Sequence, residues 1–327
     1  MPIWYDASMN ILVTGGAGYI GAHAVRKLLE AGHQVTVIDD FSTGKKSNLP
    51  DSITLIEGDF GDSKLLEKTF AKNSSIDAVM HFAASIDLNE SIKKPLEYFE
   101  NNTLKTANLI QTMLKVGVKK LIFSSTAAVY GNQKSMPIAE TAIGENLSPY
   151  GLSKLLVEQI IQAYAQSAGL QAVIFRYFNA VGSDFDKQIF SNHSTGLIPQ
   201  VIDVAAGRAP YLTIYGTDFD TIDGTGVRDY VHVLDIARAH VTALAYLNKP
   251  GSENVKILNI GTGTGWSVKQ VVSAVERITG KSVSLQTAER RPVDVAIAVA
   301  DNTKIRTELG FELKHSDLET LIQTSWH

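Results

Sequence analysis

Short apolar runs alternate with longer amphipathic segments through the first half of the chain. The apolar runs have the length of buried strands and lie at residues 11–13, 35–39, 53–57, 78–82, 121–124 and 171–176. The segments between them that repeat apolar residues at helical spacing are 20–30, 62–72, 95–116 and 149–168. Strands that alternate with helices predict a parallel sheet covered on both faces, with ligands at the carboxyl ends of the strands.

The pattern changes after about Val181, where glycine, proline and polar residues become frequent. We place the domain boundary there, so that residues 1–181 form a Rossmann-type domain around a doubly wound parallel sheet. Residues 182–327 then form a smaller C-terminal α/β lobe. An apolar run at 257–261 is expected to return to the first sheet as a later strand. We assign no function to residues 1–8, which precede the first strand.

The composition narrows the classes of function. The 327 residues are 44% hydrophobic, which supports a substantial core. The formal net charge is −4 and the basic residues form no block, so nucleic acid is a poor candidate partner. Cysteine is absent, which excludes disulfides, thiolate nucleophiles and cysteine-bound metals. No apolar run reaches the roughly 18 residues of a membrane span, and the first ten residues do not resemble a signal peptide. We expect a cytoplasmic protein that uses no metal.

Three glycines spaced three residues apart follow the first strand: Gly15, Gly18 and Gly21. Without Cβ atoms the backbone can turn tightly and approach a pyrophosphate, while the helix that follows offers N–H groups and a partial positive charge. Asp39 ends the second strand, where a carboxylate accepts hydrogen bonds from a ribose diol and repels a 2′-phosphate. The pattern therefore favours NAD, although Lys45 and Lys46 leave NADP open.

A further acidic residue, Asp59, follows the third strand. Its position suits contact with the edge of an adenine ring. The surrounding Gly-Asp-Phe-Gly-Asp run is equally typical of a turn or a helix cap. The residues themselves leave both interpretations open.

Candidate catalytic residues lie at the end of the fifth strand and on the helix that follows it. Tyr150 and Lys154 are four residues apart and so share one helix face. A free tyrosine has a pKa near ~10, so an adjacent ammonium is needed to make its phenolate a useful base at neutral pH. Thr126 ends the strand and can share the proton of a substrate hydroxyl. Tyr130 is a competing phenol, and we interpret it as structural.

Taken alone, each of these motifs occurs in unrelated proteins. In this order, from Asn10 to the C-terminus, they resemble the extended short-chain dehydrogenase/reductase family. The segments that carry the resemblance are 14–21 (TGGAGYIG), 81–84 (HFAA), 124–131 (SSTAAVYG), Tyr150 with Lys154, 176–179 (RYFN) and 224–233 (GTGVRDYVHV).

The resemblance implies an isomerase that inverts C4 of a UDP-hexose, UDP-glucose or UDP-galactose, through transient oxidation by NAD. Tyr150 is then the base, Lys154 its partner and Thr126 the strand-end hydroxyl. The NAD-binding residues that it implies, in the first domain and at the end of the sixth strand, are Gly15, Gly18, Tyr19, Ile20, Gly21, Asp39, Asp40, Asp59, Phe60, Phe82, Ala83, Ala84, Asn101, Ser124, Tyr150, Lys154 and Tyr177. The residues that it implies for the UDP-sugar are Thr126, Asn179, Leu197, Tyr215, Arg228, Arg291, Asp294 and Ala298.

Two further implications concern the partner and the sugar. Helices 95–116 and 149–168 resemble those that pair across homodimers in this family. Ala298 stands where some relatives carry a large aromatic residue, which leaves room for the N-acetyl group of UDP-GlcNAc or UDP-GalNAc unless Ile297 or Val299 refills the space.

Two alternatives remain. A sugar-nucleotide 4,6-dehydratase needs extra acid and base groups directly after the threonine, where this chain has Ala127 and Ala128. Methyl groups do not transfer protons, so dehydration is disfavoured. A catalytically silent NAD-sensing regulator of the same fold is opposed by the presence of all three candidate catalytic residues.

Overall fold

A computed structural model of the chain describes residues 8–72, 75–142, 144–190, 196–291 and 294–326. Its strands are β1 (Asn10–Thr14), β2 (Gln34–Asp39), β3 (Thr54–Glu57), β4 (Ala78–His81), β5 (Lys120–Thr126), β6 (Gln171–Tyr177), β7 (Asn179–Val181), β8 (Leu212–Tyr215), β9 (Val227–His232), β10 (Val255–Ile260), β11 (Gly265–Ser267), β12 (Leu285–Ala288) and β13 (Ile297–Ala298). Its helices are α1 (Tyr19–Glu30), α2 (Ser63–Lys72), α3 (Leu88–Lys93), α4 (Pro95–Tyr98), α5 (Lys105–Lys115), α6 (Pro149–Ala168), α7 (Leu197–Ala205), α8 (Val233–Asn248), α9 (Val268–Thr279), α10 (Thr303–Glu308) and α11 (Leu318–Ser325).

The described residues divide into two compact units. The first takes its residues from Met1–Gly131, Ile143–Arg176 and Ala237–Leu258. The second takes its residues from Asn132–Ala142, Tyr177–Ile236 and Asn259–His327.

The first unit is built on a seven-stranded sheet with the order β10-β6-β5-β4-β1-β2-β3. The pairs from β3 to β5 are parallel. The strand order reverses between β1 and β4, which opens a crevice at their carboxyl ends where ligands bind in such sheets. The predicted α/β class and Rossmann-type parallel sheet are confirmed.

Apolar strand residues of this sheet form a core with the helices that cover it. Leu12, Val79 and Leu121 belong to one buried cluster with Leu109 of α5 and Val157 of α6. Burial of such a side chain stabilises the fold by about 1.5–3 kcal/mol. The sheet is therefore a rigid support for the side chains at its strand ends.

The helix α6 begins and ends at the residues that its sequence signals. Ser148 caps it by accepting a hydrogen bond from Gly151 N at 3.1 Å, and Pro149 occupies the first turn. Gly169 ends it in the left-handed conformation with φ of 69°. These local signals explain why the predicted helix 149–168 agrees with the structure.

The predicted helix 95–116 is interrupted. Residues Phe99–Leu104 form a wider π-type turn between α4 and α5. Within it, the side chain of Asn102 accepts a hydrogen bond from Ser85 N at 2.8 Å and donates to Ser153 Oγ at 3.1 Å. The inserted turn aims this amide at two other segments, as such turns often do near functional sites.

The second unit combines two small sheets with helices. Strands β11, β9 and β13 lie side by side, and β7 also pairs with β9. A separate parallel pair joins β12 to β8. Helices α7, α9 and α11 contribute apolar residues to its core, among them Val201, Val271 and Leu321.

Within the described residues, the structure holds no helix of the length and apolar character that a membrane crossing requires.

Candidate active site

The glycine turn joins β1 to α1 in the first unit. Gly15 has φ of +70°, and a Cβ atom there would lie 2.5 Å from Ala83 N. A Cβ atom on Gly21 would overlap Gly15 O. The N-cap residue Gly18 supplies no side-chain hydrogen bond, and the first turn of α1 carries no acidic residue. The positive end of α1 is therefore not neutralised by its own side chains, which suits an anion such as a pyrophosphate.

Asp39 lies at the end of β2 and faces this turn. Its Oδ2 accepts a hydrogen bond from Ala17 N at 2.8 Å, and its Oδ1 accepts one from Phe41 N at 2.9 Å. Burial raises the pKa of Asp39, whereas these two backbone N–H groups act in the opposite direction. The neighbouring Asp40 is exposed and accepts hydrogen bonds from Ser42. Asp39 thus fixes the glycine turn, while Asp40 orders the loop that follows.

The contacts of Asp59 fit the turn interpretation, while its contact with an adenine ring stays a prediction. Its Oδ1 accepts a hydrogen bond from Gly61 N at 2.8 Å, which closes a turn. Its Oδ2 accepts one from Lys105 Nζ at 2.6 Å. Burial acts to raise the pKa of Asp59, but the bonds from Lys105 and Gly61 outweigh it and lower that pKa. The carboxylate is held ionised beside Phe60, whose ring lies 5.0 Å from that of His81.

The end of β4 lies against the end of β1. Phe82 N and Ala83 N both donate hydrogen bonds to Thr14 O, at 3.0 and 3.1 Å. Phe82, Ala83 and Ala84 are half-buried. Asn101, in the wide turn before α5, donates from Nδ2 to Ser85 Oγ at 3.1 Å. These residues therefore line the segment that follows β4, next to the point where the strand order reverses.

The candidate catalytic residues meet where β5 ends and α6 begins. Thr126 is the last residue of β5, and its side chain is hydrogen-bonded to the Tyr150 hydroxyl. Burial raises the pKa of Tyr150, and the bond from Thr126 opposes that rise. Thr126 Oγ1 accepts a hydrogen bond from Ala128 N at 3.1 Å, which leaves its O–H able to donate to the phenol oxygen. Tyr98 lies edge-on to the Tyr150 ring at 6.4 Å.

Lys154 lies one turn along α6 from Tyr150 and is 3% exposed. Its Nζ donates a hydrogen bond to Ser124 O at 2.9 Å and lies 4.9 Å from the centre of the Phe123 ring. Burial lowers the pKa of Lys154 to about 7, and the charge of Glu158 opposes that fall. Its amine is therefore held in a dry environment, one helical turn from the candidate base.

Sequence reasoning missed a buried histidine beneath the strand ends. His81 shares one hydrogen bond between its Nδ1 and Thr14 Oγ1, at 2.6 Å, and another between its Nε2 and Thr106 Oγ1, at 2.7 Å. Burial and the charge of Lys154 hold the pKa of His81 well below its usual range. A neutral imidazole thus ties β1, β4 and α5 together, and the only sequence signal for it was its place in the HFAA segment.

Five of the residues implied for the UDP-sugar come together in the second unit. Arg228 of β9 lies opposite Ala298 of β13 in a parallel register. Arg291 binds Asp294 through Nε at 2.8 Å and Nη2 at 3.1 Å, and its guanidinium stacks 4.5 Å from the centre of the Tyr215 ring. Burial lowers the pKa of Arg228, Asp294 opposes that effect and Arg291 adds to it. Two cations and one carboxylate are thus electrostatically coupled, with a net positive charge.

Three other predicted site residues of the second unit lie outside this cluster in the sequence: Asn179, Tyr177 and Leu197. Asn179 on β7 is exposed and donates from Nδ2 to Asp229 O at 2.8 Å. Tyr177 is the buried last residue of β6. Leu197 is the first residue of α7 and packs against the second core.

Asp229 was also missed by sequence reasoning. It is fully buried, and its carboxylate accepts hydrogen bonds from Thr262 N at 2.8 Å, Gly263 N at 3.0 Å and Ala300 N at 3.1 Å. These bonds hold the segments beside β9 in register and so fix Arg228 next to β13.

Comparison with known proteins identifies the family. Residues 11–261 match the model of the NAD dependent epimerase/dehydratase family. The chain is 43% identical over 326 residues to the UDP-glucose 4-epimerase of Azospirillum brasilense, covering 98% of this chain and 92% of that protein.

Comparison with solved structures also gives UDP-glucose 4-epimerases. The UDP-glucose 4-epimerase of Brucella ovis in complex with NAD superimposes with a TM-score of 0.93 at 39% identity, covering 98% of both chains. The enzyme of Stenotrophomonas maltophila, with bound NAD and formylated UDP-arabinopyranose, has a TM-score of 0.92 at 39% identity and covers 97% of both chains.

The chain belongs to the NAD dependent epimerase/dehydratase family. Within this family, the fold and the relatives agree with the epimerase that the sequence motifs predicted. The roles of the individual site residues stay predictions.

Proposed function

We propose that this chain interconverts UDP-glucose and UDP-galactose by inverting C4 of the hexose, with NAD as its cofactor. The observation that carries the proposal is the hydrogen-bonded arrangement of Thr126 and Tyr150, with Lys154 one helical turn away. It lies at the strand ends of a dinucleotide-type sheet in a chain of the epimerase family. The relatives named above are epimerases, which supports the isomerase over a dehydratase or a silent regulator.

The residues of the first unit fit a dinucleotide. The glycine turn has no room for a Cβ atom on Gly15 or Gly21, and α1 directs its positive end to the same place. Asp39 offers a carboxylate beside this turn. When bound, NAD supplies a reversible oxidation of the C4 carbinol. The side chains and backbone that would hold it are those predicted from the sequence: Gly15, Gly18, Tyr19, Ile20, Gly21, Asp39, Asp40, Asp59, Phe60, Phe82, Ala83, Ala84, Asn101, Ser124, Tyr150, Lys154 and Tyr177.

Tyr150 takes the proton of the C4 hydroxyl and later returns it. The Thr126 O–H donates to the phenol oxygen and favours its anionic form, which is the form that accepts a proton. The ammonium of Lys154 favours the same form through its positive charge. Inversion then requires only that the 4-keto sugar present its other face before C4 is reduced again.

The second unit binds the UDP moiety. Arg228 and Arg291 supply guanidinium groups, whose forked N–H donors match a diphosphate. Tyr215, stacked under Arg291, and Leu197 contact the uracil, while Asn179 and Asp294 complete the site. Firm binding of the nucleotide lets the hexose be held loosely, as a sugar that must turn over requires.

Dehydration is disfavoured by the turn that follows Thr126. Ala127 and Ala128 occupy the first positions of a short 3₁₀ turn over Ala127–Tyr130. Ala128 contributes only its backbone N–H to Thr126. Neither side chain can transfer the protons that elimination of water needs.

Conversion of UDP-galactose to UDP-glucose by the purified protein tests the function directly. We expect an equilibrium mixture of the two sugars from either starting compound, and nicotinamide absorbance that stays with the protein after exhaustive dialysis. A 4-keto-6-deoxy product would indicate a dehydratase. Bound NAD without any product would indicate a regulator.

We also propose a homodimer and a cytoplasmic location. Leu96 of α4 and Leu104 beside α5 are 66% and 64% exposed, and Leu152 of α6 is also exposed. Apolar side chains left in solvent on neighbouring helices support pairing with a second copy. The mass of the protein in solution, measured by sedimentation, tests this proposal, and a monomer at micromolar concentration would contradict it.

The small side chain of Ala298 supports acetylated substrates as a second candidate activity. Ile297 is the other residue of β13, and successive residues of a strand point to opposite faces, so Ile297 does not refill the space beside Ala298. We expect Ala298→Tyr to reduce kcat/KM for UDP-GalNAc by about tenfold or more, because a ring overfills the volume that the N-acetyl group would use.

In the same variant, kcat/KM for UDP-galactose is expected to stay within about threefold of its original value. Steady-state assays with both sugars on wild type and variant measure the ratio. An unchanged ratio between the two sugars would show that Ala298 does not line the hexose site.

A further inference from the structure

The helix α6 presents three polar side chains, one on each of three successive turns: Tyr150, Lys154 and Glu158. Each has a partner near the end of β5. Tyr150 is bonded to the side chain of Thr126, and Lys154 donates to the carbonyl of Ser124. Glu158, on the third turn, is bonded to Ser125 of β5 but has no function in the mechanism proposed above.

Glu158 is fully buried and held from two strands. Ser125 Oγ donates to its Oε1 at 2.5 Å. Arg176 on β6 donates from Nη2 to Oε2 at 2.6 Å and from Nε to both carboxylate oxygens, at 3.1 and 3.2 Å. The Arg176 guanidinium also lies 4.9 Å from the centre of the Tyr130 ring. The position of this carboxylate is therefore set by several bonds.

A buried ion pair is weak evidence for a purely stabilising role, because the cost of removing both charges from water offsets most of their attraction. Hydrophobic residues of similar volume often stabilise such a site equally well. A charged pair beside the candidate catalytic residues therefore indicates an electrostatic function at the active site.

The charged and titratable groups around Lys154 come from each element that packs against it. Tyr150 and Glu158 lie one turn away on either side along α6, and His81 of β4 interacts with its charge. β5 offers the Ser124 carbonyl and the Phe123 ring. His81 is held neutral by its burial. Among the described residues named here, Glu158 is the one that supplies a negative charge.

We propose that Glu158, anchored by Arg176 and Ser125, is a positioning residue that keeps Lys154 protonated beside Tyr150. The proposal rests on the proposed function, in which Tyr150 is the base. Glu158 does not touch the substrate, and it acts through Lys154. It also sets the register of α6 on β5, so that Tyr150 stays opposite Thr126.

The direction of the effect follows from burial. Burial lowers the pKa of Lys154 to about 7, and Glu158 opposes this fall. Without the carboxylate, the pKa of Lys154 drops further, and at any given pH a larger share of Lys154 is the neutral amine. The alkaline limb of the activity profile is therefore expected to move to lower pH.

The test begins with Glu158→Gln, which keeps the shape of the side chain and removes its charge. We expect kcat for UDP-galactose at mildly alkaline pH to fall by about tenfold, because one unit of pKa is a tenfold change in the protonated fraction. KM is expected to stay within about twofold, and the loss is expected to be smallest at the acidic end of the profile. The control Ile161→Val alters a buried apolar residue of the same helix and should leave the profile in place.

The double variant Glu158→Gln/Arg176→Met separates positioning from stability. It leaves no buried unpaired cation, so it is expected to regain thermal stability relative to Glu158→Gln. Its pH profile is expected to stay shifted, because Lys154 still lacks its carboxylate. Recovery of the wild-type profile in this variant would overturn the proposal, and so would an unshifted profile in Glu158→Gln. If Glu158→Gln does not fold, the pH profile of the double variant alone decides the outcome.

A measurement without turnover keeps this inference distinct from the proposed function. Nitrogen NMR of isotope-labelled lysine side chains, with the Lys154 signal assigned by its loss in Lys154→Met, follows ionisation of Lys154 directly. We expect this ionisation to move to lower pH in Glu158→Gln, since the buried ammonium loses the carboxylate that stabilises it. If the wild type shows no epimerase activity, the proposed function fails, while a shifted titration still supports the link from Glu158 to Lys154. An unshifted titration would overturn the inference whatever the activity.

Discussion

Replacement of Tyr150 by phenylalanine is expected to reduce kcat for UDP-galactose by about 10²–10⁴-fold, the usual contribution of a positioned acid or base. The ring and its contact with Tyr98 are retained, but the oxygen that takes the C4 proton is lost. NAD and UDP are expected to remain bound, because the glycine turn and the arginine cluster are untouched. Steady-state kinetics, bound-cofactor absorbance and UDP titration measure the three quantities.

Tyr164→Phe is the matched control, since it removes a phenol from a half-buried tyrosine on the same helix. It should leave kcat and cofactor content close to those of the wild type. A Tyr150→Phe variant that loses NAD as fully as it loses turnover would show that Tyr150 is a packing residue and would remove the basis of the proposed mechanism.

Much of the first unit follows from local signals. Apolar runs predicted the strands from β1 to β6, and the cap at Ser148, Pro149 and Gly169 fixed both ends of α6. Such signals act within a few residues of the chain and can be read directly. The spacing of Tyr150 and Lys154 on that helix followed for the same reason.

The wide turn over Phe99–Leu104 had no such signal, because its sequence continues a helical pattern. It is set by the bonds of Asn102 to Ser85 and Ser153, which lie 17 and 51 residues away in the chain. Tertiary bonds of this kind override local propensity. The pairing of Glu158 with Arg176 was hidden similarly, since an isolated charged residue is usually a solvated one.

The second unit was less predictable for a different reason. The strand β12 is exposed at every residue, and β13 has only two residues, so neither shows a buried alternating pattern. Their positions depend on neighbours such as β8 and β9 and on the bonds that Asp229 makes. Recognition of Arg228 and Arg291 therefore rested on family resemblance, and the structure adds that both belong to one coupled cluster with Asp294.

The substitution Gly21→Ala is expected to weaken NAD binding by roughly 10–100-fold. Gly21 has a helical backbone within α1, where alanine would be favoured by propensity. The added Cβ would, however, overlap Gly15 O and lie 3.0 Å from Gly16 Cα, and backbone atoms cannot rotate away. Overpacking of this kind costs about 1–3 kcal/mol, and each 1.4 kcal/mol or so is a tenfold change in affinity. Retention of NAD after dialysis and the Kd for added NAD measure the loss.

Gly196→Ala is the control that separates this contact from the general effect of a methyl group. Gly196 is the N-cap of α7 with φ of −73°, and among the described residues a Cβ atom there would meet only Pro199, at an ordinary 3.5 Å. NAD binding should be unchanged in this variant, because the added methyl group displaces no backbone. If Gly21→Ala instead kept the wild-type Kd for NAD with an intact fold, the turn between β1 and α1 would not be where the pyrophosphate binds, and the dinucleotide would have to lie elsewhere on the sheet edge.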